Sequence, residues 1–318
     1  MSYWVPCSRK LAPLDRAEPM SVVPVPATPA ATSQRLGIML FFCGLIGFSV
    51  FDASNKYLLE TYPAPFLNVM RYTTVAAIGV MMLIRHRPHG FWRTPCKGLL
   101  LLRGLALGTV GTCFMTALVW MPLAEATAIY FTSPLIVVAL SPWFLQERVG
   151  AAKWLAVGAG FAGMLLIIRP GNELPWLGTS LMVISAINFA IVQLLTRQLA
   201  NKVPGYIQYS YTAFTCLFVT AVPAPFFLPN PWPGLNDLLI IIGLGVCNGA
   251  AQLLLIAAFQ RVAASTLSPF NYFQLLMAIA FSTFFFNQPP DALALTGIGL
   301  ITLAGIFLAT HRERQILP

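Results

Sequence analysis

Nine polar residues stand in otherwise apolar surroundings: Asp52, Asn55, Arg71, Glu125, Tyr130, Asn188, Gln252, Asn271 and Gln274. A carboxylate and a guanidinium can hold opposite charges of one solute, or can pair with each other. Amides and a phenol add hydrogen bonds of both senses. A charge near the centre of a membrane helix costs roughly 2.5–3.5 kcal/mol on insertion scales, so such residues are functional candidates by default. Bond-making chemistry lacks its usual parts. His86, His89 and His311 lie beside arginines without ligand spacing, and no Ser/His, His/His or paired-carboxylate set is present. There is no phosphate-cradling Gly-Lys-Ser/Thr loop, so nothing points to ATP hydrolysis. The six cysteines show neither metal spacing nor disulfide density. The chain thus reads as a non-enzyme with no cofactor and no resident metal.

The elements that carry these residues are long and apolar. The chain of 318 residues is 58% hydrophobic and 9% charged, whereas a soluble domain carries about 25% charged residues. Ten apolar runs, near 37–57, 65–84, 98–118, 123–143, 152–168, 176–196, 206–228, 237–259, 264–286 and 292–310, each approach the ~20 residues of a membrane-spanning helix. A helix satisfies its own backbone hydrogen bonds, as lipid demands. Asp52 falls before the end of the first span and Arg71 after the start of the second. In antiparallel helices both then lie on the order of 10 Å deep, at 1.5 Å per residue. They face one cavity, or form a structural ion pair, or Arg71 reaches back to the surface; the sequence leaves these open. Asn55 follows Asp52 by one turn. Glu125 sits at the start of span four, as a gating, proton-binding or merely solvated group. Glu147, beside Arg148, reads as a polar clamp at the other end of that span.

Sliding the sequence by 141 residues reveals an internal repeat. Gly37 meets Gly178, Pro63 meets Pro204, Gly104 meets Gly245, Gly108 meets Gly249, and Lys56 meets Arg197. The expected fold is therefore an all-α membrane protein of ten transmembrane helices in a 5+5 repeat. Five is odd, so the second half enters the membrane inverted, an architecture common among transporters. The expected division is a disordered cytoplasmic tail at 1–35, repeats at 36–171 and 172–311, and a short tail at 312–318. The repeat also exposes an asymmetry: Asp52 aligns with Gln193, Arg71 with Thr212, Glu125 with Thr266 and Tyr130 with Asn271. Asn188, Asn248, Gln252 and Gln274 lie deep in the second half. These amides pair across helices or hydrogen-bond a polar solute. A solute with a charge and several hydrogen-bonding groups, such as an amino-acid-like metabolite, suits the set.

The net charge of +9 reflects topology rather than nucleic-acid binding. With the N-terminus in the cytoplasm, fifteen of the nineteen Lys and Arg residues fall on the inner side, as the positive-inside rule requires. Both termini are then cytoplasmic, in a multi-pass protein of the cell (inner) membrane whose partners are the bilayer and a small-molecule substrate. Gly158-Ala-Gly160-Phe-Ala-Gly163 has the letters of a dinucleotide fingerprint but lies inside a membrane span with no strand before it. It reads as small residues for close helix packing. Gly104-x-x-x-Gly108 and Gly245-x-x-x-Gly249 read the same way, within one chain or between chains, so monomer and homodimer both stay open.

Several stretches resemble the EamA-type families of the drug/metabolite transporter superfamily. They are Met121-Pro-Leu-Ala-Glu-Ala-Thr-Ala-Ile-Tyr-Phe-Thr-Ser-Pro-Leu135, Leu145-Gln-Glu-Arg-Val149, Gly160-Phe-Ala-Gly-Met-Leu-Leu-Ile-Ile-Arg-Pro-Gly171, Ala53-Ser-Asn-Lys-Tyr-Leu58 and Asn68-Val-Met-Arg-Tyr72. The resemblance implies ten spans, a central cavity and secondary transport by alternating access, often as export of amino acids or related metabolites. Some relatives import cofactors, so an uptake permease for a vitamin or S-adenosylmethionine is the alternative. A lipid flippase or membrane-embedded enzyme is the alternative from another class. The family's usual Gly-Glu after span four appears as Gln146-Glu147, and its second-half counterpart is Asn287-Gln288.

Overall fold

The computed structural model describes residues 31–86, 91, 94, 96–144, 150–168, 175–199, 203–259, 261–262 and 267–310. The expected tails at 1–30 and 312–318, together with Glu147 and Arg148, lie outside the described residues. The regular structure of the described part is helical: α1 (Ala31–Leu58), α2 (Ala64–His86), α3 (Lys97–Ala117), α4 (Leu123–Tyr130), α5 (Ser133–Phe144), α6 (Ala151–Ile168), α7 (Trp176–Leu199), α8 (Gly205–Ala221), α9 (Leu235–Phe259), α10 (Tyr272–Phe284) and α11 (Ala292–Thr310). Helix occupies part of every expected span. Among the described residues, seven helical stretches are long and apolar enough to cross a membrane, one of them Leu123–Leu140 across α4 and α5, while α10 and the Ala292–Leu308 stretch of α11 are shorter apolar segments. The helix α8 is set apart by its polar content, with Gln208, Ser210, Thr212, Thr215 and Thr220 all buried. Large apolar side chains such as Met39, Met81, Leu155 and Leu303 face outward. That exterior suits lipid, since water would penalise it.

The sequence explains where the helices stop. Pro63 and Pro204 directly precede α2 and α8, because proline lacks the N–H that a helix interior needs. The expected continuous span 123–143 is two helices, with a break at Phe131 and Thr132. Pro134, in the first turn of α5, cannot donate to the carbonyl of Tyr130, so the ladder is interrupted there. The corresponding stretch of the second half is irregular too: Ser268–Asn271 form a 3-10 turn before α10. The helix α1 starts at Ala31, so residues 31–35 of the expected tail are helical. Asn287, which takes the place of the family's glycine, has φ 50. Asparagine is among the few residues that tolerate this left-handed conformation.

Packing between the halves is reciprocal. The helix α1 lies along α9 and α7 along α3; α3 lies on α8 and α9 on α2; α2 meets α8, and α6 meets α11. Each relation maps onto another, or onto itself, when residue numbers shift by 141 between halves. The glycines show it atom by atom. A β-carbon at Gly104 would strike Thr215, and one at Gly245 would strike Thr74; Gly108 faces Val219 as Gly249 faces Ile78; Gly37 faces Val262 as Gly178 faces Met121. The glycine pairs therefore pack helices within one chain. In the glycine-rich run of α6, Gly163 lies against the backbone of Gly297 on α11, while Gly158 faces open space.

Candidate functional site

A cavity of about 380 Å³ lies between the halves, within the range of small-molecule sites. Both helix breaks border it: Tyr130, Phe131, Ser133 and Pro134 line it from the α4–α5 junction, and Asn271 and Gln274 from the start of α10. Irregular backbone at membrane depth is tolerated where it lines a cavity. The breaks also turn Tyr130 and Asn271, partners in the repeat, toward the same space.

Six of the nine residues singled out by sequence line this cavity: Asp52, Arg71, Tyr130, Gln252, Asn271 and Gln274. Gln193 and Asn248 join them. The Gln274 Nε2 amide donates to Asp52 Oδ2 at 3.0 Å. The equivalent contact across the repeat runs from Gln193 Nε2 to Ser133 Oγ at 3.5 Å. One geometry thus carries a carboxylate in the first half and neutral groups in the second. The Arg71 guanidinium lies 5.4 Å from the Phe51 ring centre and 4.3 Å from that of Tyr72, a cation–π arrangement. Gly111 makes this possible, because a β-carbon there would overlap both the guanidinium and the Tyr72 hydroxyl.

The other three lie off the cavity lining. Asn55 is buried and donates to the carbonyl of Phe51 at 2.7 Å, one turn back in its own helix. Asn188 does the same toward Ile184 at 2.9 Å. Glu125 is buried in the first turn of α4, on the side of Lys56. Arg103, the other arginine inside a span, is bound away from the cavity. Its Nε donates to Thr196 Oγ1 at 2.7 Å and its Nη1 to Thr212 Oγ1.

The sequence reading missed the aromatic wall. Phe48, Phe51, Tyr72, Phe114, Phe131 and Phe189 line the cavity along with Tyr130. Tyr130 and Phe189 stack, with ring centroids 4.7 Å apart at 29°, and Phe114 meets Tyr130 edge-on at 5.4 Å. One signal was available: Phe48 and Phe189 are identical across the 141-residue register. Phenylalanine occurs in every span, and Phe285 matches Phe144 in the same register yet is exposed, so the pairing alone does not single these two out.

Apolar membrane-spanning helices around a cavity of charges, amides and aromatic rings define a multi-pass membrane protein with a small-molecule site. The chain belongs to the EamA-like transporter family, whose model matches residues 35–169 and again 176–310. It is similar to the S-adenosylmethionine uptake transporter of Rickettsia bellii, 27% identical over 292 residues, covering 90% of this chain and 98% of that one. It is similar to the pseudopaline exporter of Pseudomonas aeruginosa, 25% identical over 282 residues, covering 88% and 98%. The riboflavin transporter of Rhizobium johnstonii is 27% identical over 237 residues, covering 72% and 74%. A solved crystal structure superposes with a TM-score of 0.60 at 19% identity over 86% of this chain and 96% of the other, a likeness of fold alone. The family and these relatives are transporters rather than enzymes, and small-molecule transport is the activity they support for this chain.

Proposed function

We propose that the chain is a secondary carrier for a zwitterionic organic solute bearing a planar ring, working by alternating access across the cytoplasmic membrane. The observation that carries this is the joint presence of Asp52, Arg71 and the aromatic wall in one cavity. Arg71 binds the solute's carboxylate, as a guanidinium fork suits. Asp52, held by Gln274, binds its cationic group. The stacked pair Tyr130 and Phe189 receives the ring by offset stacking. S-adenosylmethionine has all three features, which makes it the first solute to test. The uptake transporters of that compound align over nearly their full length, as the pseudopaline exporter does, and at 27% against 25% identity uptake is the direction to test first. Export of an opine-type metallophore is the second reading, favoured by the likeness to the pseudopaline exporter and by the amides Gln193, Asn248, Gln252 and Asn271.

Ten crossings in two inverted five-helix repeats, residues 36–171 and 172–311, with both termini cytoplasmic, complete the proposal. The reciprocal packing of the halves and the two family matches support it. Two similar halves that exchange roles give two conformations of similar energy, open to opposite sides. The direct test is equilibrium binding of labelled S-adenosylmethionine to purified protein. Saturable binding is expected, with competition by adenosine and by methionine separately, and loss in Asp52→Asn and Arg71→Gln. Binding unaffected by both substitutions would remove the two charges from the site.

A further inference from the structure

Lys56 stands one helical turn beyond Asp52, on the same face of α1. Its ammonium donates to the carbonyl of Leu118 at 2.5 Å and to that of Met121 at 2.7 Å. These carbonyls belong to the end of α3 and the turn after it. The last carbonyls of a helix have no partner within the helix and carry its negative pole. Glu60 and Glu125 add negative potential at the same ammonium. The side chain of Met121 meanwhile covers Gly178 at the start of α7. The 118–121 turn is therefore fastened between the leading helices of the two halves, on one side of the cavity. That side cannot open between α1 and this turn while the Lys56 contacts persist.

The repeat supplies a counterpart on the opposite face. Adding 141 turns Lys56, Leu118 and Met121 into Arg197, Phe259 and Val262. Val262 covers Gly37 as Met121 covers Gly178. Gln193 lines the cavity one turn before Arg197, as Asp52 does before Lys56. The Arg197 side chain lies outside the described residues and enters by register alone.

We propose that Lys56 is a latch holding the extracytoplasmic mouth closed, and that Arg197, through the carbonyls of Phe259 and Val262, latches the cytoplasmic mouth. One latch forms as the other is released. This rests on the alternating-access reading above. A cation that can donate several hydrogen bonds is kept in both places, while the neighbouring cavity residue differs between aspartate and glutamine. The latch therefore belongs to the motion common to both halves rather than to solute recognition.

The test is a distance distribution by pulsed electron resonance in lipid nanodiscs. Spin labels are placed at Tyr57 and Leu177, both exposed and both on the latched side. Bioorthogonal labelling leaves the native cysteines in place. Lys56→Met keeps the apolar stem but removes the donors, and is expected to raise the ratio of long to short distances about tenfold, the scale of one charged hydrogen bond. Arg197→Met is expected to lower that ratio. Lys56→Arg restores the wild-type distribution. If Lys56→Met does not fold, Lys56→Gln, which keeps a neutral donor, is expected to give a smaller shift in the same direction. No shift in either variant, or shifts of the same sign in both, overturns the proposal. No solute is needed: populations that move as expected in a protein that carries nothing would sink the transport reading and leave the latch. A working carrier whose populations ignore both substitutions would do the reverse.

Discussion

Gly111→Ala separates the cavity's chemistry from the stability of the fold. The added methyl would overlap the Arg71 guanidinium and the Tyr72 hydroxyl. Both are ends of side chains, so they can give way with little cost to the backbone. Alanine also has the higher helix propensity, by about 1 kcal/mol, which offsets part of any strain. Unfolding stability is therefore expected to stay within about 1 kcal/mol of wild type. Binding should respond strongly. A displaced guanidinium loses its place over Phe51 and Tyr72, a contact of about 0.5–2 kcal/mol, and its charged hydrogen bonds to the solute, about 1.5–3 kcal/mol. Because these overlap, a net loss of roughly 2–3 kcal/mol is expected, or a solute affinity some 30- to 150-fold weaker at 1.4 kcal/mol per factor of ten. The assays are equilibrium binding and thermal unfolding on one preparation. Gly158→Ala is the control, since a β-carbon there meets nothing; it should leave binding unchanged and raise stability by no more than about 1 kcal/mol, the helix-propensity gain alone. A Gly111→Ala protein that binds within threefold of wild type would refute the placement of Arg71 in the solute site. So would one whose lost binding is matched by lost stability.

Gly163→Ala is expected to act the other way, because its β-carbon would meet the carbonyl of Gly297 on α11. Backbone cannot rotate aside, so a loss of about 1–3 kcal/mol in stability is expected, readable by thermal unfolding in detergent with solute affinity unchanged in the folded fraction. Phe189→Ala removes the ring stacked on Tyr130 and is expected to weaken ring-bearing solutes roughly 2- to 12-fold, at about 0.5–1.5 kcal/mol per aromatic pair, while binding of a ring-free zwitterion changes little in competition assays. At Asn287, where φ is 50, Asn287→Gly is expected to be neutral or stabilising. Asn287→Val is expected to lose about 1–2 kcal/mol, so equal melting temperatures for the two variants would contradict the left-handed turn.

The helical elements and the polar residues between them were legible because lipid narrows the choices. A charge-free run of twenty residues has few alternatives to a helix, and Asp52 or Arg71 inside such a run stands out. The repeat was legible through Pro63 and Pro204 and through Gly104 and Gly245, positions where backbone geometry dictates the residue. The break at Phe131 was not legible, since Pro134 in an apolar run suits both a kinked and a broken helix, and packing around the cavity decides. Burial direction was the other gap. Asn55 and Asn188 look like site residues by depth, but each amide folds back onto its own helix, and only the rotation of the helix about its axis tells them from Gln252 and Gln274. The aromatic wall was hidden for a related reason: phenylalanine is the expected residue on a lipid face, so composition carries no sign of which rings turn inward.

Solute counterflow tests the central claim most directly. Protein in liposomes preloaded with unlabelled S-adenosylmethionine is exposed to a trace of the labelled compound. A carrier that alternates its one cavity between the two sides must exchange solute for solute. Labelled compound is therefore expected to accumulate transiently above equilibrium in preloaded vesicles, with no such accumulation for Asp52→Asn or Arg71→Gln. The same uptake in preloaded and empty vesicles, or counterflow undiminished by both substitutions, would contradict an alternating site built on these two charges.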